Sequence, residues 1–160
     1  MTVSHLNKSV FEVAAGSNPA VCVTTNGIVK SDGMAVMGAG IAKECARLFP
    51  DIPIELGKKI NAYGSKVYNL GIHTYSAGGR TVRYSVISFP TKYHWKDRSD
   101  IDLIRESCLQ LVELTDMYEF DKVWLPAPGC NNGKLNWERD VRPVVEPLLD
   151  GRFIICIADF

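Results

Sequence analysis

Two glycine-rich segments offer backbone where chemistry could be done. The first, Gly33-Met34-Ala35-Val36-Met37-Gly38-Ala39-Gly40, opens directly into an apolar-periodic run that reads as a helix. Glycine allows positive φ and close approach of a ligand to the main chain. The free N–H groups of a helix start favour a phosphate. A plain turn has the same composition. The pattern is not a P-loop, because no Gly-Lys-Ser/Thr follows, and Ala42 or Lys43 stands where a dinucleotide fingerprint needs its third glycine. The second segment is Pro126-Ala127-Pro128-Gly129-Cys130-Asn131-Asn132-Gly133-Lys134-Leu135-Asn136-Trp137, again between an apolar run and a helical one. Side by side, the two would present N–H donors to both flanks of a diphosphate. Read more plainly, Asn-Asn-Gly is a turn and Trp137 anchors a helix start.

A third segment, Phe89-Pro90-Thr91-Lys92-Tyr93-His94-Trp95, sets a lysine among aromatic rings. A lysine amine becomes a nucleophile when it is neutral, which needs desolvation or nearby positive charge. Lys96 and Arg98 follow closely, and Phe89, Tyr93 and Trp95 are placed to exclude water. Taken as an isolated lysine, Lys92 is a charged group pairing with a phosphate or an acidic side chain. His94 reads either as a proton carrier beside it or as a surface or packing histidine. Trp124 reads as core, and Lys58-Lys59 as a solvated helix face that a nucleic acid could use.

The elements that must position these segments follow from periodicity and punctuation. Val10 to Ala14 and Ala20 to Thr25 read as strands joined by a turn at Gly16-Ser17-Asn18-Pro19. Ala39 to Phe49 reads as a helix stopped by Pro50, with Asp51 capping a second helix that runs to about Tyr63. Lys66 to Thr74 and Thr81 to Phe89 form an antiparallel hairpin around Ser76-Ala77-Gly78-Gly79. Asp100 caps a helix whose apolar face carries Ile101, Ile104, Cys108, Leu111, Val112 and Leu114. Lys122 to Pro126 is a short strand, Trp137 to Leu149 a helix in which Pro143 marks a kink, and Arg152 to Ala158 a last apolar strand. Strands alternating with helices predict a mixed sheet covered on both faces, with the ligand crevice beyond the strand ends.

Length and composition narrow the classes. The 160 residues suit one domain, and 46% hydrophobic residues can fill its core. Eighteen basic residues balance eighteen acidic ones, which disfavours extended, non-specific grip on nucleic acid. Five cysteines without a Cys-x-x-Cys pair, and three scattered histidines, read as reduced thiols and no metal site. The opening MTVSHLNKSV is polar and unlike a signal peptide, and no apolar run is long enough to cross a membrane. The expectation is a cytoplasmic monomer with no membrane partner and no cofactor.

Thr25-Asn26, Met37-Gly38-Ala39-Gly40-Ile41-Ala42, Phe49-Pro50 and the two motifs Phe89 to Trp95 and Leu125 to Trp137 together resemble the macrodomain family. They occur in the family's order, from about Asn26 to Leu149. The latter two resemble the branch of DarG-type antitoxin macrodomains and the terminal ADP-ribose glycohydrolase. The resemblance implies an α/β fold over residues 1–160, a single macrodomain with a mixed, mostly parallel sheet flanked by helices. It also implies ADP-ribose as ligand, free or attached to a macromolecule such as single-stranded DNA. Asn26 would hold the distal ribose. Met37, Gly38, Ala39, Gly40 and Ile41 would line one side and Pro128, Gly129, Cys130, Asn131, Asn132 and Gly133 the other, with Thr91 a further contact. Lys92 would be the catalytic group, removing ADP-ribose from DNA or protein (a modified nucleobase or an acidic side chain) by attacking the anomeric carbon of an opened ribose through a Schiff base. Glu12 is the nearest counterpart of an adenine-binding aspartate; the alternative places adenine against the C-terminal strand near Ala158 and Phe160, whose ring would stack on it. The branch's terminal glycohydrolase carries a catalytic aspartate where this chain has Gly133; DarG-type members lack it. Removal of phosphate from ADP-ribose-1″-phosphate and binding without chemistry are the alternative functions, with a dinucleotide oxidoreductase disfavoured by the missing third glycine.

Overall fold

Six strands form one sheet in the computed structural model, which describes residues 1–158. In chain order the elements are β1 (Thr2–Leu6), α1 (Val10–Val13), β2 (Pro19–Thr25), α2 (Gly40–Leu48), α3 (Ile52–Tyr63), β3 (Asn69–Ala77) and β4 (Arg80–Pro90). Then come α4 (Ile101–Tyr118), β5 (Lys122–Pro126), a π-helical turn over Trp137–Val141, α5 (Arg142–Val145) and β6 (Phe153–Ala158). The sheet order is β1-β6-β5-β2-β4-β3, and every pair is parallel except β3 with β4. This is the expected mixed, mostly parallel sheet.

Helices cover both of its faces. Along β2, Ala20 and Cys22 pack with Ile104, Cys108 and Leu111 of α4 and with Trp137, Val141 and Val145. Val21 and Val23 point the other way, to Phe11, Phe49, Ile52 and Leu56. All four β2 side chains are fully buried, as expected of a central strand sandwiched between helical layers. Asp100 caps α4 as anticipated, its Oδ1 accepting from the N–H groups of Asp102 and Leu103 at 2.9 and 3.1 Å. Gly78 and Gly79, at φ 59° and 78°, form the tight turn of the β3–β4 hairpin.

Several expectations are corrected. Val10 to Ala14 is not a strand but a single helical turn, capped by Ser9 Oγ accepting from the Phe11 N–H. Its β-branched and aromatic composition is overruled by tertiary bonds: Tyr84 Oη donates to Phe11 O at 3.0 Å, and Arg80 Nη1 to Glu12 O at 2.8 Å. The sequence reading missed β1, whose mix of polar and apolar residues suits an edge strand paired on one side only. Asp51 makes no side-chain cap; its backbone is already helical, and Pro53 sits in the first turn of α3. The final helix is shorter than expected and changes type within its length: a π-helical turn over Trp137–Val141 passes directly into α5, and Pro143 sits just after that junction, where a residue without an N–H suits the altered hydrogen-bond pattern. Trp124 is only half-buried, its Nε1 donating to Ala15 O at 3.1 Å.

The phenol of Tyr84 is 2% exposed within an aromatic cluster with Phe11 and Phe49. Tyr84→Phe leaves the Phe11 carbonyl buried without its donor. The expected loss is about 1–3 kcal/mol of unfolding free energy, read from a lower urea midpoint at unchanged slope; an unchanged midpoint would show that the bond does not hold α1 on the sheet.

Candidate functional site

The parallel pairing decides where the chemistry gathers. Thr25 pairs with Pro90, and Pro126 with Cys156, so β2, β4 and β5 end at one edge of the sheet. The loops 26–39, 91–99 and 127–136 leave from those ends side by side. Leu6 pairs with Ala158, so residues 7–9 emerge at the same edge.

The first loop is a built structure. Asn26 Oδ1 accepts from the Ile28 N–H at 2.9 Å, and its Nδ2 donates to Val36 O at 3.2 Å. Val36 N–H donates to Ile28 O, and Ala35 N–H reaches Pro53 O of α3, both at 2.9 Å. The amide of Asn26 therefore shapes this loop as well as standing at its root. Met37 is buried, Gly38, Ala39 and Gly40 are exposed, and Ile41 is half-buried. Ala39, the residue before α2, has no capping side chain, so none covers the first N–H groups of the helix.

The last loop divides into an inner and an outer part. Pro128, Gly129 and Gly133 are buried, Cys130 is half-buried, and Asn131 and Asn132 are exposed. Gly129 has φ 78°, and Leu135 N–H donates to its carbonyl at 2.8 Å. A Cβ at Gly133 would lie 1.9 Å from Ser99 Oγ and 2.6 Å from Gly129 O. Position 133, where the terminal glycohydrolase has its aspartate, is thus closed to any side chain. Burial first, then the charge of Asp140, pushes the Cys130 thiol up to about 11, leaving it protonated at neutral pH. Leu135 and Trp137 pack into the core beneath the loop.

The middle loop ties the other two together. Thr91 is buried, with its N–H donating to Thr25 O at 3.0 Å and its carbonyl accepting from Asp100 at 2.8 Å. Gly27 N–H donates to Tyr93 O at 3.1 Å, and Ser99 N–H to Gly133 O at 3.0 Å. Lys92 is half-buried between these ties, and its Nζ donates to Asp97 O at 3.4 Å. Across the gap, a Cβ on Gly40 would lie 3.0 Å from Asn132 Nδ2, so the two glycine loops approach each other.

The structure departs from the sequence reading at other positions. Tyr93 and Trp95 do not shield Lys92: they are 59% and 50% exposed, and only Phe89 is buried. Glu12 faces the β3–β4 hairpin, its carboxylate accepting from Tyr75 Oη at 3.1 Å, away from the loop cluster. Phe160 lies outside the described residues. Residues 7–9 reach the same edge through β1, a strand whose sequence carries no amphipathic signal. A cavity of 540 Å³ lies at the opposite edge, beside Gly16, Asn18, Arg83 and Ser85; a smaller one of 290 Å³ lies behind the first loop, beside Met37, Gly38 and Ala46. Among the described residues no cluster of His, Cys, Asp or Glu is arranged to hold a metal ion, and no helix is long and apolar enough to span a membrane.

No family model matches the chain. The macrodomain of Mycobacterium tuberculosis DarG superposes with a TM-score of 0.72 over 97% of each chain, at 23% identity. Thermosipho africanus DarTG in complex with ADP-ribose superposes at 0.74 over 97% of this chain and 41% of its own, at 21% identity. The chain therefore has the macrodomain fold. Among macrodomains it is the DarG type that it resembles: a Thermus aquaticus protein called DNA ADP-ribosyl glycohydrolase is 28% identical over 116 residues, 72% of this chain. A Mycobacterium tuberculosis protein of the same name is 25% identical over 127 residues, 79% of this chain. The matches span 31% and 36% of those two relatives, about a third of their length.

The last loop is held by close packing at Gly133 and by the carboxylate of Asp140. Gly133→Ala must displace Ser99 or the Gly129 backbone, and is expected to cost about 1–3 kcal/mol, seen as a lower Tm. A Tm equal to that of the unsubstituted chain would show that the Ser99–Gly133 contact is slack. Asp140 anchors the loop's exit: Arg139 and the Asn136 N–H hold its carboxyl down to about 2. Because that folded value lies below the usual carboxylate value of about 4, the stabilisation is full above about pH 4 and is lost as pH falls toward 2. The Tm deficit of Asp140→Asn should shrink over that window; a deficit independent of pH would refute the assignment.

Proposed function

We propose that residues 1–160 act as one macrodomain that binds ADP-ribose at the loop edge of the sheet and hydrolyses the bond joining it to a DNA base, with Lys92 as the catalytic group. The observation carrying this reading is the meeting of three segments: two glycine loops, and between them a lysine whose own loop is bonded to both, through Gly27 with Tyr93 and Ser99 with Gly133. The relatives' name, DNA ADP-ribosyl glycohydrolase, and the ADP-ribose complex of the Thermosipho neighbour support it.

In this reading the diphosphate lies along Gly38, Ala39, Gly40 and Ile41, where the uncapped N–H groups of α2 favour negative charge. Asn131 and Asn132 face it from the other loop. Pro128, Gly129, Gly133, Met37 and Thr91, being buried, set the shape of the cradle, with Cys130 at its boundary. Asn26 reaches the distal ribose, and residues 7–9 stand at the adenine end. Neutral Lys92 Nζ attacks C1″ of the opened ribose. The C1″–N bond to the base breaks, and the base nitrogen takes a proton. Water then hydrolyses the Schiff base, returning the amine and releasing ADP-ribose. Since Tyr93 and Trp95 leave the amine open to water, desolvation falls to the bound substrate. The five cysteines, all free, suit a reducing compartment such as the cytoplasm, and the acting unit in this reading is a monomer.

Incubation with single-stranded DNA ADP-ribosylated on thymidine tests the reading. Lys92→Ala should slow release of ADP-ribose by at least about 100-fold while calorimetric affinity for ADP-ribose stays within about threefold. Binding without release by the unsubstituted chain would make it a reader. Phosphate release from ADP-ribose-1″-phosphate that survives Lys92→Ala would make it a phosphatase.

A further inference from the structure

Between the ties at Tyr93 and Ser99, the chain turns outward and presents aromatic rings to water. Trp95 is 50% exposed and Tyr93 59% exposed, although both sit in a well-bonded turn. Asp97 N–H donates to His94 O at 3.0 Å, closing the turn. Lys96 N–H donates to His94 Nδ1 at 3.1 Å, which fixes the imidazole ring. That ring stacks on Trp95, with centroids 5.3 Å apart and planes 28° apart. Lys96 Nζ lies 5.0 Å from the centroid of the Trp95 ring. Arg98 is held in turn, its Nη2 donating to Lys134 O at 3.3 Å. The segment from Lys92 to Arg98 thus carries Lys92, Lys96 and Arg98 against the single acid Asp97, in a chain that is neutral overall.

Ordered aromatic faces interleaved with cations suit one kind of partner. An unpaired base stacks on such a ring while its phosphate meets a neighbouring cation; bases held in a duplex offer no free face. An extended polypeptide would instead seek an open sheet edge, and β2 and β4, whose ends flank this turn, are each paired on both sides. We propose that His94, Trp95 and Lys96, with Tyr93, form a stacking platform for single-stranded nucleic acid, gripping the nucleotides next to the base presented to Lys92. This rests on the DNA-directed reading above. The local charge bounds the footprint to one or two nucleotides, which reconciles nucleic-acid contact with zero net charge.

The test uses two measurements. In the first, a fluorescent oligothymidine of about ten nucleotides is titrated by anisotropy. Trp95→Ala should weaken binding at least about fivefold, Trp95→Phe should stay within about twofold, and Lys96→Ala should flatten the salt dependence. In the second, kcat/KM for release of ADP-ribose is compared on a modified oligonucleotide and on modified thymidine nucleoside, with an ADP-ribosylated peptide run alongside. Trp95→Ala should lower the first by at least about fivefold and leave the second unchanged. Equal loss on both substrates, or no loss in either measurement, overturns the platform. A Trp95-dependent loss confined to an ADP-ribosylated peptide overturns it in favour of a protein-facing surface. If the unsubstituted chain releases nothing yet holds the oligonucleotide through Trp95, the platform stands and the glycohydrolase reading falls.

Discussion

The parallel pairing of β2 with both β4 and β5 is the constraint on which the rest of the structure depends. Parallel neighbours end at the same edge, and the chain must cross back over the sheet before starting the next one. The segments leaving β2, β4 and β5 therefore gather in one place, while α2, α3 and α4 take up the return paths and cover the two faces. No loop has to reach far. Backbone bonds from Gly27 to Tyr93 and from Ser99 to Gly133 then join neighbouring loops much as ladder bonds join neighbouring strands.

Within that cluster, glycine does two kinds of work. At Gly38 no atom stands within 4 Å of where a Cβ would be, so the backbone there is left open to its surroundings. At Gly133 the surroundings leave no volume for a side chain, so glycine is a packing requirement. The same contact explains why no carboxylate can stand in the last loop at that position. The middle loop carries its lysine on a backbone already committed to both walls.

The outer turn from Tyr93 to Arg98 shows a different economy. Its aromatic rings are exposed although the buried core lies immediately behind them, with Phe89 and Thr91 both hidden. Hydrogen bonds through His94 fix the turn's shape. Charge is also local: a chain balanced overall concentrates three cations within this turn and its approach. Whole-chain composition is therefore a poor guide to what its surface can hold.

Much of this was legible in the sequence. The periodicity of α2 and α4, the cap at Asp100, the glycine turn of the hairpin and the order of the three motifs are local signals, because helix spacing and turn chemistry act over a few residues. β1 and α1 were not legible. One is a short edge strand, and the other is a single turn whose apolar residues suit a strand until Tyr84 and Arg80 bind its carbonyls. The orientation of side chains was likewise hidden: Glu12 turned to Tyr75, and Tyr93 and Trp95 turned to water. By itself, then, the sequence determined which segments carry glycine, lysine and aromatic rings, and that strands and helices alternate between them. Only the tertiary structure decided which of those residues face one another. That depends on bonds between residues as far apart as Gly27 and Tyr93, or Ser99 and Gly133, and no local spacing encodes them.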